Sequence, residues 1–198
     1  MESYILENDI LEDEIKNGHY QNEIIFDYHF THKDFQHCIL EHIDFQDITF
    51  ENSYFVNVTF SHCDLSNIKM NATLFRHVKF LNCKLMGTDF SESIFDQVIL
   101  KDCLCSFANF AFMNNKVVQF QQCSLQNASF IENKMNKTTF DECILQQCEF
   151  LHSHLYKIDL SSCNIEGIIT SPEDIRGAMI NRYQAIDLIH LLNVCIKE

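Results

Sequence analysis

A large apolar residue recurs at every fifth position of this chain. The stretch DFQDITFENSYFVNVTF (44–60) places phenylalanine at 45, 50, 55 and 60. Helix faces repeat every 3.6 residues and strand faces every 2, so neither element alone accounts for the spacing. From Phe30 to Ile165 every position whose number is a multiple of five holds Phe, Leu, Met, Ile or Cys, without insertion or slip; Asn115 is the one polar member. Two places earlier in each unit stand small or β-branched residues such as Cys38, Ile43, Ser53, Val58, Thr73 and Val98. The other three places are mostly Asn, Gln, His, Asp, Ser and Lys. Each unit therefore offers one large and one small inward group and three outward ones.

The cysteines add a second period. Cys63, Cys83, Cys103, Cys123, Cys143 and Cys163 are spaced by 20 and all occupy the small inward place. Twenty residues make four units, so the sequence predicts a coil with four sides, one unit per side. Coils stacked about 4.8 Å apart satisfy each other's backbone, as in other solenoids. The thiols then line one inner side of the rod as small, reduced core residues rather than as disulfides or ligands. Cys195, outside the repeat, is expected to be more reactive.

Composition narrows the function. Gly (4) and Pro (1) are scarce, unlike a protein built on conventional hairpins. No apolar run is long enough for a transmembrane helix, and MESYILENDILEDEIK lacks the basic start and apolar centre of a signal peptide. The expectation is a cytoplasmic protein with no membrane association. A formal charge of −14 disfavours direct binding to nucleic acid and permits a basic protein partner. His37, His42, His62 and His77 fall at the last, outward place of their units and match no metal signature. No nucleophile–base order, phosphate loop or carboxylate pair stands out, so neither an enzyme nor a cofactor or metal is expected.

Sorting charges by side gives the candidate contacts. The side centred on 50, 70, 90, 110, 130 and 150 carries Glu51, Asp89, Glu92, Glu132 and Glu149 against Lys69. The next side carries Lys33, Arg76, Lys116, Lys134, Lys137 and Lys157 against Asp34 and Asp96. The remaining two sides are modestly acidic. Around Asn115, Phe107 and Phe112 occupy normally outward places and form a candidate exposed aromatic patch. Asn115 itself must be hydrogen-bonded or force a bulge.

The ends depart from the pattern. Residues 1–24 are strongly acidic and read as an N-terminal cap or degenerate first coil, because Asn8, Asp13, Gly18 and Glu23 break the small inward place. The repeat domain spans 25–170. In 171–198, Ser171-Pro172-Glu173-Asp174 reads as a helix start. Asn181 is expected to cap a helix over 182–192 with an apolar stripe of Ala185, Leu188, Ile189 and Leu192, widened by Ile186. That element caps the rod or joins it to another chain.

CDLSN (63–67), CKLMG (83–87), TDFSE (88–92), ANFAF (108–112) and CSLQN (123–127) resemble the units of the pentapeptide-repeat family. The resemblance implies an all-β fold, a right-handed quadrilateral β-helix, here with a short C-terminal α-helix. The unbroken repeats followed by DIRGAMIN and a QA-containing amphipathic helix are similar to the quinolone-resistance (Qnr-type) subgroup. That resemblance implies a homodimer joined through the C-terminus, with Ala185, Ile186, Leu188, Ile189 and Leu192 at the joint. It implies a DNA mimic that binds DNA gyrase or topoisomerase IV and counters quinolones, and the sorting of charges by side makes Glu51, Asp89, Glu92, Glu132 and Glu149 the expected contact face. Some members carry projecting loops, for which the register from 30 to 110 leaves no room. A scaffold or adaptor for an unrelated protein, and an immunity protein against a gyrase-targeting toxin, stand as alternatives.

Overall fold

The computed structural model describes residues 5–192. The chain winds as a parallel solenoid in which paired residues stand 20 apart in sequence. This register runs from Glu14↔Asp34 through Asn114↔Lys134 to Asp159↔Met179. Each coil hands its backbone to its neighbours: the Ile39 amide donates to Gly18 O at 2.9 Å, and the His42 amide to Ser61 O at 2.9 Å. The same two steps repeat along the rod, so the main chain is satisfied without hairpins. No loop interrupts the coils between Glu14 and Met179.

Period five comes from the corners. The residue two after each large inward group adopts a left-handed backbone, from Asn17 (φ 58) to Lys157 (φ 65), with glycine at 87, 167 and 177. Asn, Asp and His tolerate that conformation better than other side chains, and glycine adopts it freely. The outward histidines at 32, 37, 42, 62, 77 and 152 are corner residues of this kind. The sides then differ in the residue just after the corner. At Thr88, Ser93, Ala108, Ala128, Ile158 and Ile168 its amide closes a tight turn onto the residue three before. Where it is Val98, Val118 or Thr138, the corner stays open inside the eight-residue strands Ile94–Lys101, Asn114–Gln121 and Lys134–Asp141.

Inside, coil spacing becomes ring spacing. Phe90, Phe110, Phe130 and Phe150 stack with centroids 5.3, 4.9 and 4.9 Å apart, while Phe110 meets Phe120 edge-on at 84°. Both arrangements suit aromatic quadrupoles. The thiols fill the small places: Cys103, Cys123 and Cys143 donate to the inward carbonyls of Phe80, Leu100 and Phe120 at 3.3–3.4 Å. Nine described cysteines are buried and free. Burial pushes the Cys148 thiol up to about 12. Cys195 lies outside the described residues.

Asn115 makes no bulge. It keeps register between Phe95 and Met135 and donates to Asn133 Oδ1 at 3.0 Å. Asn133 in turn donates to Phe110 O at 2.9 Å, the task Ser93 and Ser153 hydroxyls perform on Met70 O and Phe130 O.

The irregular residues at the ends are plugs. Helix α1 (Leu6–Asp9) buries Leu6, and Glu23 accepts the Leu6 and Glu7 amides at 2.9 and 3.1 Å. Gly18 leaves room for the Tyr20 ring, which lies where a Cβ would sit. Lys33, expected on the basic side, is instead buried. It stands at a small inward place, and its ammonium donates to Leu11 O and Glu12 O at 3.1 and 2.6 Å, closing the first coil.

At the other end the helix expected to start at Ser171 does not form. Ser171 Oγ caps the Asp174 amide at 3.1 Å, but the chain then returns to the coil, with Leu155 and Lys157 donating to Asp174 O and Gly177 O. The continuous helix expected over 182–192 is also corrected. It divides into α2 (Gln184–Asp187) and a 3-10 turn, Ile189–Leu192. The physical reason is Gln184, whose Nε2 donates inward to Leu160 O and Cys163 O at 2.8 and 2.7 Å and anchors the first turn to the rod. Asn181 Oδ1 accepts the Gln184 amide at 3.2 Å, as a cap should.

Candidate partner-binding surfaces

The solenoid places all five predicted acidic residues on one side and its edge. Asp89 and Glu149 share an outward column with Lys69, Asn109 and Ser129 through successive bridges 20 residues apart. Three coils separate the two carboxylates, about 14 Å. Glu92 (φ 60) and Glu132 (φ 50) project from one corner of that side, with Phe112 (φ 59) between them at the same 20-residue spacing. Glu51 sits two coils nearer the N-terminus. Asp89 is held in place by the Ser91 amide at 3.0 Å and Asn109 Nδ2 at 2.9 Å. Among the described residues no salt bridge involves any of the five; the ion pairs Arg76–Asp96 and Lys84–Asp64 lie on other sides.

Phe107 and Phe112 do not form one contiguous patch. They stand at the two opposite edges of the acidic side, 67% and 53% exposed, with Asn109 and the buried Ala111 between them. Both are corner residues, as is Val117 (φ 57). Three successive corners of one coil thus hold apolar side chains in a backbone region that costs L-residues about 1–2 kcal/mol. The acid–aromatic–acid column Glu92–Phe112–Glu132 escaped the sequence reading, although the 20-residue offsets contain it.

The neighbouring side holds Arg76, Lys116, Lys134, Lys137 and Lys157, all exposed, while Lys33 belongs to the core end. At the C-terminal end Ala185 and Ile186 are exposed, Ile186 to 64%, and Leu188 and Ile189 are half-buried, Leu188 against the core. The Leu192 side chain lies outside the described residues. Tyr183 and Met179, 67% and 49% exposed, belong to the same end. Among the described residues no group of three His, Cys, Asp or Glu is arranged to hold a metal ion, and no helix is long and apolar enough to cross a membrane.

Known proteins match the coil itself. The family model for the pentapeptide repeat region matches residues 25–110 and 55–130, together more than half of the chain. A comparison with curated proteins finds no match. Among solved structures, a trypsin-treated variant of QnrB1, a plasmid-mediated fluoroquinolone resistance protein, is 17% identical with a TM-score of 0.50, covering 91% of this chain and 100% of that one. Full-length QnrB1 is 15% identical over 89% of this chain and 100% of that one, with a TM-score of 0.38. HetL, a pentapeptide repeat protein of the cyanobacterium Nostoc involved in heterocyst differentiation regulation, is 11% identical over 87% and 93%, with a TM-score of 0.32. At 17% identity the first of these speaks for a shared fold.

Proposed function

The chain belongs to the pentapeptide-repeat family, and on that premise we propose that it is a non-catalytic, cytoplasmic DNA mimic of a Qnr-like kind. It docks its acidic side into the basic DNA-binding saddle of DNA gyrase or topoisomerase IV and lessens the action of quinolones. The observation that carries this reading is the set of carboxylates free of ion pairs among the described residues: Asp89, Glu92, Glu132 and Glu149 on one side and its corner, continued beyond Lys69 by Glu51. Long-range attraction from such a row speeds encounter and weakens with salt. Phe107 and Phe112 flank the row and supply apolar anchors at its edges. The fold shared with QnrB1 supports the same direction. Two rods joined by Ala185, Ile186, Leu188, Ile189 and Leu192 would double the length of the mimic.

Gyrase supercoiling with a quinolone, with and without this protein, at two salt concentrations tests the proposal. Rescue that fades as salt rises, and is lost in Asp89→Lys with Glu92→Lys, agrees with it. The absence of both rescue and inhibition at micromolar protein refutes it. An adaptor role resting on Phe107 and Phe112 would instead give a partner contact that is nearly indifferent to salt.

A further inference from the structure

The acidic side borders a side of opposite character that the proposed function leaves unused. Its outward column starts with the acids Glu14 and Asp34 and continues through the apolar Tyr54, Leu74 and Ile94, all register partners one coil apart. Tyr54 and Ile94 are 46% and 40% exposed. A shallow depression of about 300 Å³, lined by Tyr54, Leu74, Ile94 and Ala72, with the corner residue Glu92 at its rim, runs along this strip. One coil further on the chemistry changes. Lys116, Lys134, Lys137, Lys157 and Arg176 project from the same side and its corner, joined by His152 and His154. A second depression of about 680 Å³ opens there, lined by Glu132, Asn133, Lys134, Met135, His152 and His154.

This cationic half is not neutralised internally. Among the described residues none of the four lysines is paired with a carboxylate. Asp96 is engaged by Arg76 at 3.2 Å. Asp174 is 4% exposed and already receives Ser171 Oγ, the His152 amide and His154. Lys137 and Lys157 occupy the same corner in adjacent coils, a like-charge neighbourhood that costs stability when nothing covers it.

We propose that this side is a docking strip for one acidic amphipathic helix of a protein partner, lying along the rod axis. The charges select an acidic occupant, and the dimensions select a helix. Successive coils present a cation about every 4.8 Å. Carboxylates at i, i+3 and i+4 on a helix face recur about every 4.5–6 Å, close to the same pitch. A strand three residues wide spans about 10 Å, close to the diameter of a helix. A nucleic-acid duplex is wider than the side, whereas a single helix matches it. From Tyr54 to Arg176 the strip covers about six coils, roughly 29 Å, or a helix of about 20 residues. The partner helix carries Leu or Phe over the Tyr54–Leu74–Ile94 end and Asp or Glu over the lysines. Peptide helices held this way are read by a few spaced anchors.

The test uses the full chain and a fluorescein-labelled helical peptide of about 20 residues, apolar at one end and glutamate-rich at the other. Anisotropy is read at low and high salt, with a labelled DNA duplex of similar length beside it. The expected result is saturable peptide binding that falls at least about tenfold in Lys134→Glu with Lys157→Glu, and also falls in Tyr54→Ser with Ile94→Ser. All four positions are exposed, and far-UV circular dichroism checks the fold of each variant. No peptide binding by the native chain overturns the proposal, as does equal binding by the charge-reversed chain. Lysine-dependent capture of the duplex instead of the peptide overturns it too. The supercoiling assay on the same variants keeps the two surfaces apart: the helix strip stands or falls independently of the Asp89–Glu92 side.

Discussion

Replacing Asn115 by leucine should stabilise the rod, and replacing Asn133 by serine as well should stabilise it more. Asn115 is 1% exposed in a column otherwise occupied by Phe95 above and Met135 below. Its Nδ2 reaches Asn133, but its buried Oδ1 has no protein donor. An orphaned buried acceptor costs about 1–3 kcal/mol, and burying a leucine side chain contributes about 1.5–3 kcal/mol. Against this, the single change leaves Asn133 Oδ1 without its donor, which returns about 1–3 kcal/mol. The single substitution should therefore net about 1–2 kcal/mol of added stability. In the double variant the hydroxyl introduced by Asn133→Ser would donate to Phe110 O, as Ser93 and Ser153 donate on their own coils. The second orphan disappears, and the gain should rise to about 3 kcal/mol, with a coupling of about 1–2 kcal/mol between the two sites. For a chain of this length 1 kcal/mol shifts Tm by about 2–4 °C, so the double variant should melt roughly 6–12 °C higher. Thermal and urea unfolding of the native chain and all three variants read this directly. A leucine variant that loses more than about 1 kcal/mol, with no recovery on adding Asn133→Ser, refutes the assignment of Asn115 as an unsatisfied core group.

Gln184→Leu should lower stability by about 2–4 kcal/mol, because it strips the donor from two buried carbonyls, Leu160 O and Cys163 O. Hydrogen exchange should then accelerate first in the last coil, while uniform acceleration would contradict a local plug. Native protein should leave its ladder thiols unreacted with a thiol reagent near pH 8, since all six from Cys63 to Cys163 are enclosed in the core. The full complement should react on unfolding, and fast labelling of Cys103 or Cys123 in native protein would contradict the ladder as core. Burial works against ionising Asp174, but Ser171, the His152 amide and the neighbouring imidazoles outweigh it and hold the carboxyl below its usual range. A depressed folded value contributes stability that is complete above the unfolded value, about 3.9, and is lost as pH falls through the folded one. Asp174→Asn should therefore flatten the acid limb of the stability curve, and an unchanged limb would count against it.

The coil was legible in the sequence because its period is enforced at every unit. Stacked rings at 4.9 Å, thiols 20 apart and unbroken pairing all stem from one number. The acidic residues fell on one side for the same reason. Their partner Phe112 was legible too, at 20 residues from Glu92 and Glu132, but its neighbour Phe107 drew it into a different grouping. What escaped was where a single side chain leaves the pattern to serve an end. Lys33 has the charge of a surface residue and the position of a core one, and only the open carbonyls of Leu11 and Glu12 decide between them. Likewise the apolar spacing of 182–192 describes a good helix. The amide of Gln184 reaching two carbonyls more than 20 residues away is invisible to local periodicity.

The constant offset of 20 makes the rod an indexing mechanism. Removing one whole coil would shorten it and leave every surviving side facing as before. Removing a single five-residue unit would instead turn everything downstream by a quarter revolution against everything upstream. Glu51 and Asp89 would then point one way and Glu149 another, although the core, the corners and the backbone pairing would all re-form. Insertions and deletions in such a chain act on direction before they act on stability, and the chain length between two contact residues, counted modulo 20, decides whether a partner can touch both.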